Sequence, residues 1–192
     1  AGPRAPIRFR PHHFLCSLGF QGAGYSSAFT ANMSDIVDGR LRSAGGENVK
    51  ITVTFVADSI CTPCPERREL GCVKINTIRQ LDERHAKALR LKDGDCISWG
   101  EALKRIKANV PPGTLSTLCQ NCQWLSLGYC EAALEQFIID LILLKCAVCF
   151  DFLSDQGATR IYFRLLGIQA CRMQFQHLST RSKRIVALLC QG

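Results

Sequence analysis

Two trios of cysteines share one spacing. Cys61, Cys64 and Cys72 read C-x2-C-x7-C, and so do Cys119, Cys122 and Cys130. A tight turn brings side chains three apart to the same side, and the third sulfur returns from the loop that follows, so each trio commits its stretch of chain to a compact, turn-rich structure. Clustered thiols of this kind bind a soft metal, form disulfides or exchange electrons. The matched spacing argues for the first.

With 192 residues the chain can bury one core, with a small appendage at most, and it needs no disulfides to reach a foldable size. Its 12 cysteines exceed ordinary usage yet stay below the density of a short disulfide scaffold. The opening stretch AGPRAPIRFRPHHF is rich in proline and arginine and lacks the apolar centre of a signal peptide. The expectation is a reducing, cytoplasmic setting in which cysteines serve as ligands or redox groups.

A net charge of +8 raises nucleic acid as a partner, but no block of Lys and Arg occurs, and six metal-bound thiolates would cancel most of the surplus. A solvated basic surface is the simpler reading. The run FIIDLILLKCAVCFDFL is strongly apolar, but Asp140 and Lys145 interrupt it, and it falls short of the roughly 20 residues of a membrane span. The sequence therefore divides into a Cys-rich domain over residues 1–135 and a C-terminal extension over 136–192 for which periodicity assigns no fold.

Within the first part the periodicities are clear. Ile7 to Arg10 alternates as a short strand, and Val49, Ile51, Val53 and Phe55 alternate with polar residues as a stronger one. Between them Phe29, Met33, Ile36, Val37 and Leu41 share a helical face that Ser26 or Ser27 caps and Gly45-Gly46 ends. Strand, helix, strand predicts a β-α-β crossover with parallel strands. A helix follows Cys72 to about Leu91, with Ile78, Leu81, His85 and Leu89 on one stripe, and a turn sits at Asp93-Gly94. Ser98 and Glu101 form a capping box for a further helix that Pro111-Pro112-Gly113 stops, and another helix begins near Glu131. The fold class is α+β, with a small sheet of two strands or slightly more, several helices and two Cys-rich metal-binding loops.

Four-ligand zinc sites and iron-sulfur clusters leave each trio one ligand short. Parallel strands end at one sheet edge, so Pro11, His12, His13 and Cys16 should lie near Asp58, Cys61 and Cys64, and Cys16 is the candidate to complete the first trio. For the second, His12, His13 and His85 are candidates, or a coordination position stays open for substrate or solvent. A zinc-ribbon partition over Cys61, Cys64, Cys119 and Cys122 conflicts with a gap between the pairs far beyond the usual 15–20 or so residues. His85 lies on an apolar stripe and reads first as a hydrogen-bonded core histidine, whereas His12 and His13 stand evenly between ligands and loop polar groups. Cys96 reads as a small buried hydrophobe, Cys146 and Cys149 as packing residues in an apolar run, and Trp99 and Trp124 as core or site-covering aromatics. No phosphate-binding glycine motif and no G-x-S-x-G elbow is present; QGAGYSS reads as a turn.

The segments RPHHFLCSLGFQGAGYS (Arg10 to Ser26), DSICTPCPERRELGC (Asp58 to Cys72), LDERHAKAL (Leu81 to Leu89), SWGEAL (Ser98 to Leu103) and LCQNCQWLSLGYC (Leu118 to Cys130) occur in an order that resembles the domain of unknown function 1284 family of bacterial and archaeal proteins. The resemblance spans roughly residues 7–135. It implies a cysteine-ligated iron-sulfur cluster with no established reaction, and the ligands it implies are Cys16, Cys61, Cys64, Cys72, Cys119, Cys122 and Cys130. Family members usually stop near residue 135, so it assigns nothing to Cys146, Cys149, Cys171 or Cys190.

The reading is thus an iron-sulfur protein for electron transfer or redox sensing, with a redox partner protein as the natural companion. Its alternative is a structural zinc module acting as a binding domain. A metalloenzyme using an open metal position, with His12 or His13 moving protons, comes third, and a secreted disulfide protein last.

Overall fold

The computed structural model describes residues 6–140 and residue 180. The chain is an α+β protein. Its contacts group Ala1–Val110 with Thr114–Cys130 as one compact unit, and Pro111–Gly113 with the chain from Glu131 onward as another. In the second unit residues 131–140 are helical, and the Glu131 carboxylate accepts from the Gly113 amide. Cys146, Cys149, Cys171 and Cys190, and the apolar run beyond residue 140, lie outside the described residues. No described helix is long and apolar enough to cross a membrane.

The first unit is built on a three-stranded sheet, order β1-β2-β5, from β1 (Ile7–Phe9), β2 (Lys50–Val53) and β5 (Cys96–Ser98). β1 pairs parallel to β2 with Ile7 opposite Ile51 and Phe9 opposite Val53. All four of these side chains are buried while Arg8 and Lys50 are exposed, which is the period-two alternation read from the sequence. β5 pairs antiparallel to β2, setting Ile97 against Ile51. This third strand carries no readable alternation: it is three residues long, wedged between the Gly94 turn and a helix cap. Cys96 opens it and is exposed, not the buried hydrophobe expected, because it shares the outward face of the pleat with Thr52 and only Ile97 points inward.

Between β1 and β2 run α1 (His13–Gly19) and α2 (Ser27–Ile36), the second passing into a π-helical turn at Val37–Leu41. Ser26 caps α2, its hydroxyl accepting from the Phe29 amide at 3.1 Å, and Phe29, Met33 and Ile36 are the buried face. Gly45, at φ +77°, supplies the left-handed residue after which the chain turns back into β2. A two-stranded hairpin, β3 (Arg67–Arg68) and β4 (Gly71–Cys72), leads into α3 (Ile75–Leu89), which buries Leu81, Asp82, His85, Ala86 and Leu89 along one stripe. α4 (Trp99–Asn109) starts at Ser98, whose hydroxyl accepts from the Glu101 amide at 3.1 Å. α5 (Leu115–Leu118) then opens the second Cys-rich segment. Ile7, Phe9, Phe14, Ile51, Ile60 and Ile106 form the driest part of the core. Each such side chain contributes about 1.5–3 kcal/mol on burial.

Candidate functional site

The site begins where β1 ends. Arg10 is 1% exposed, and burying its charge is tolerable only with a partner. Its Nε and Nη2 donate to Asp82 Oδ2 at 2.8 and 2.7 Å, and Asp82 is itself wholly buried on the apolar stripe of α3. The Arg10 amide donates to Asp58 Oδ2 at 2.6 Å, while Asp58 Oδ1 accepts from the amides of Ile60 and Cys61, each at 3.0 Å. Asp58 thereby shapes the turn that carries Cys61.

Both carboxylates also hold a histidine. His12 Nδ1 lies 2.5 Å from Asp82 Oδ1, and His13 Nδ1 lies 2.6 Å from Asp58 Oδ2. Burial alone would raise both carboxyl pKa values. His13 and the amide donors nevertheless hold Asp58 at about 2, and His12 with Arg10 keeps Asp82 below its ordinary range. Facing a carboxylate, each ring donates through Nδ1–H, which leaves Nε2 as the one ring nitrogen able to carry a lone pair. On α3, His85 Nδ1 donates to the Leu81 carbonyl at 2.7 Å, and its Nε2 lies 3.5 Å from Cys119 Sγ. A carbonyl can only accept, so here too Nε2 bears the lone pair.

Burial lowers the pKa of His12 and of His85 to about 4, His13 adding to the effect at His12 and His12 at His85. Because their folded values lie below the ordinary 6.5, the unfolded chain takes up these protons first. Stability of the metal-free protein is therefore greatest above pH 6.5 and declines as pH falls toward 4; urea titrations at a series of pH values will show this slope, and a gain in stability on acidification would contradict it.

The second trio is presented by a short, pinned segment. The Cys122 amide donates to the Cys119 carbonyl at 2.9 Å across a turn whose Asn121 sits at φ +67°, so the C-x2-C pair closes as its spacing predicts. Arg84 of α3 fixes it from below, Nε donating to the Leu118 carbonyl at 2.9 Å and Nη2 to that of Gln120 at 2.7 Å. Trp124 packs edge-on against Tyr25, with ring centroids 5.2 Å apart. Cys130 rests on the end of α1: a Cβ at Gly19 would lie 2.7 Å from both Cys130 Cα and Sγ. Gly19→Ala is thus expected to cost about 1–3 kcal/mol despite its better helix propensity. A raised melting temperature for that variant would show the contact to be loose.

Cys16 lines the same cavity as Cys119, Cys122 and Cys130. Burial, then the neighbouring Cys130, Cys122 and Cys119, push its pKa well above the ordinary thiol value. α1 starts at His13, so three residues of helical rise set Cys16 about 4.5 Å along the axis from the start of the helix. These four cysteines and the three histidines line one cavity of about 330 Å³.

In the first trio the Cys64 amide donates to the Cys61 carbonyl at 3.0 Å, so this turn also forms. Cys61 lies with His13 and Asp58, their ligand atoms all within 4.8 Å of one another, as a candidate mixed metal site. Cys64, whose pKa is raised by burial and then by the nearby Cys72, faces the hairpin instead. Asp58 is the weak member of the mixed group, since its two oxygens already accept four hydrogen bonds.

Arg10, Asp58 and Asp82 were not singled out as site residues from sequence. The available signal was Asp82, a charged residue one step from Leu81 and three from His85 on an apolar helical stripe.

Residues 24–128 match the family model described as Protein of unknown function (DUF1284). The match takes in Cys61, Cys64, Cys72, Cys119 and Cys122, with Cys16 and Cys130 just outside its ends. No curated protein and no solved structure matches the chain. As the matched span exceeds half of the 192 residues, the chain belongs to the DUF1284 family of proteins of unknown function.

Proposed function

We propose that the protein binds an iron-sulfur cluster through Cys16, Cys119, Cys122 and Cys130 and serves in electron transfer or redox sensing in the cytoplasm. The observation that carries this reading is the gathering of four thiols around one cavity by two distant stretches of chain. Four sulfurs are a complete ligand set for such a cluster. Burial and mutual repulsion make the thiolate of Cys16 costly on its own, and a cationic core repays that cost. When bound, the cluster supplies one-electron chemistry. Tyr25 and Trp124 pack edge-on in the cavity wall, and His85 Nε2 stands 3.5 Å from Cys119 Sγ, a contact across which the free thiol can donate and a cluster-bound thiolate cannot.

We read β1, the helices after it and β2 as a crossover unit that brings Arg10–His13 and Asp58–Cys61 to the same sheet edge. Residues 1–135 form the working module on this reading, with the two Cys-rich loops as its metal-binding parts, and the chain after it is an extension. A redox protein is the fitting partner. A structural zinc ion is the second reading, supported by the nitrogen, oxygen and sulfur donors of His13, Asp58 and Cys61. Oxygen-free purification decides between them: brown protein with matching iron and acid-labile sulfide is expected, and colourless protein with stoichiometric zinc would overturn the cluster.

A further inference from the structure

The cavity beside the thiols is larger than a metal ion needs. At about 330 Å³ it reaches the lower range of small-molecule sites, which runs from roughly 300 to 1,000 Å³. Its lining has two characters: Phe20, Phe29, Met33 and Trp124 are apolar, whereas His12 and His13 contribute imidazoles.

These two imidazoles are unusually well prepared. They are 7% and 9% exposed, and their ring centroids stand 4.1 Å apart. Nδ1 of each is locked on a buried carboxylate, so neither ring can turn without losing that bond. Nε2 of each, across the ring, has no hydrogen-bond partner among the described residues. Neither Nε2 is a buried unpaired atom, so each opens onto the cavity its ring lines, where a donor group of an occupant can reach it.

The surrounding charge selects the occupant's head. Asp58 and Asp82 stand behind the imidazoles, and the guanidinium of Arg10 is spent on Asp82. Lys74, which also lines the cavity, is held by Glu66 and Gln123, each at 2.8 Å. A carboxylate or phosphate entering here meets lone pairs and buried negative charge. A hydroxyl or ammonium meets acceptors.

We propose that this cavity binds a small organic molecule with an apolar body and a hydrogen-bond-donating head, the head held by Nε2 of His12 and of His13. The site stands whichever metal Cys16, Cys119, Cys122 and Cys130 carry, whereas a zinc ion on His13, Asp58 and Cys61 would take up the His13 ring.

The test uses the full chain as purified, its metal content measured separately, and four probes with a common phenyl body: 2-phenylethanol, 2-phenylethylamine, 3-phenylpropanoate and ethylbenzene. Nitrogen-resolved NMR titration should move the Nε2 resonances of His12 and His13 while leaving Nδ1 in place. The alcohol or the amine should bind at least about tenfold more tightly than the carboxylate and the hydrocarbon; whichever leads identifies the head. Met33→Trp, which fills the apolar end, should abolish binding with the Asp82 and Asp58 hydrogen bonds still visible at Nδ1. Equal or tighter binding of the carboxylate overturns the proposal. So does the absence of any Nε2 shift at millimolar probe, or unchanged affinity in Met33→Trp. A zinc-bearing protein that binds the alcohol would refute the cluster and keep the pocket.

Discussion

Asp82→Ala will lower the unfolding free energy by about 3–5 kcal/mol, the cost typical of breaking a buried ion pair. The carboxylate is wholly buried and accepts from Arg10 through two nitrogens and from His12 Nδ1. Its removal strands a guanidinium that is 1% exposed, so the loss comes mostly from the charge left behind. That origin makes a second expectation. Adding Arg10→Met to Asp82→Leu should recover much of the stability, because replacing both partners of such a pair by apolar groups of similar size is often neutral. The double variant still leaves His12 Nδ1 without its acceptor, so recovery is incomplete. Urea denaturation of the single and double variants measures both effects, and a single-variant cost under about 1 kcal/mol would mean that water reaches the pair.

The second large effect concerns the grouping of thiols. Cys16→Ser and Cys130→Ser are expected to remove most of the bound cluster, whereas Cys64→Ser, which faces Cys72 and the hairpin, should leave iron and sulfide in the cavity near their unsubstituted level. Iron, sulfide and visible absorbance of the three variants, purified without oxygen, give the comparison. Loss of equal size in Cys64→Ser would restore the division of ligands drawn from spacing, with Cys16 serving the other trio.

Spacing and periodicity go far in this chain because most of its signals are local. The Ser26 and Ser98 caps, the Gly45 and Gly94 turns and the pleat of Ile7, Phe9, Ile51 and Val53 each depend on a few neighbouring residues. Both C-x2-C turns close for the same reason. What the sequence hides is non-local: that Cys16 on α1 lines one cavity with Cys119, Cys122 and Cys130 has no periodic signature. The nearness of Cys61 to His13 and Asp58 likewise joins residues far apart in the chain, which spacing alone does not reveal. The ion pair of Arg10 and Asp82 joins residues 72 positions apart, and pairing over that distance has no periodic signature.

The path from Gly19 to Cys130 also sets an order of events during synthesis. Cys16 leaves the ribosome when Cys119, its first sulfur neighbour in the cavity, is still 103 residues away (119 − 16). Through that interval the Cys16 thiol is without the sulfurs with which it later lines the cavity. On the cluster reading, assembly is then a late event in which insertion and loop closure over a long contour occur together.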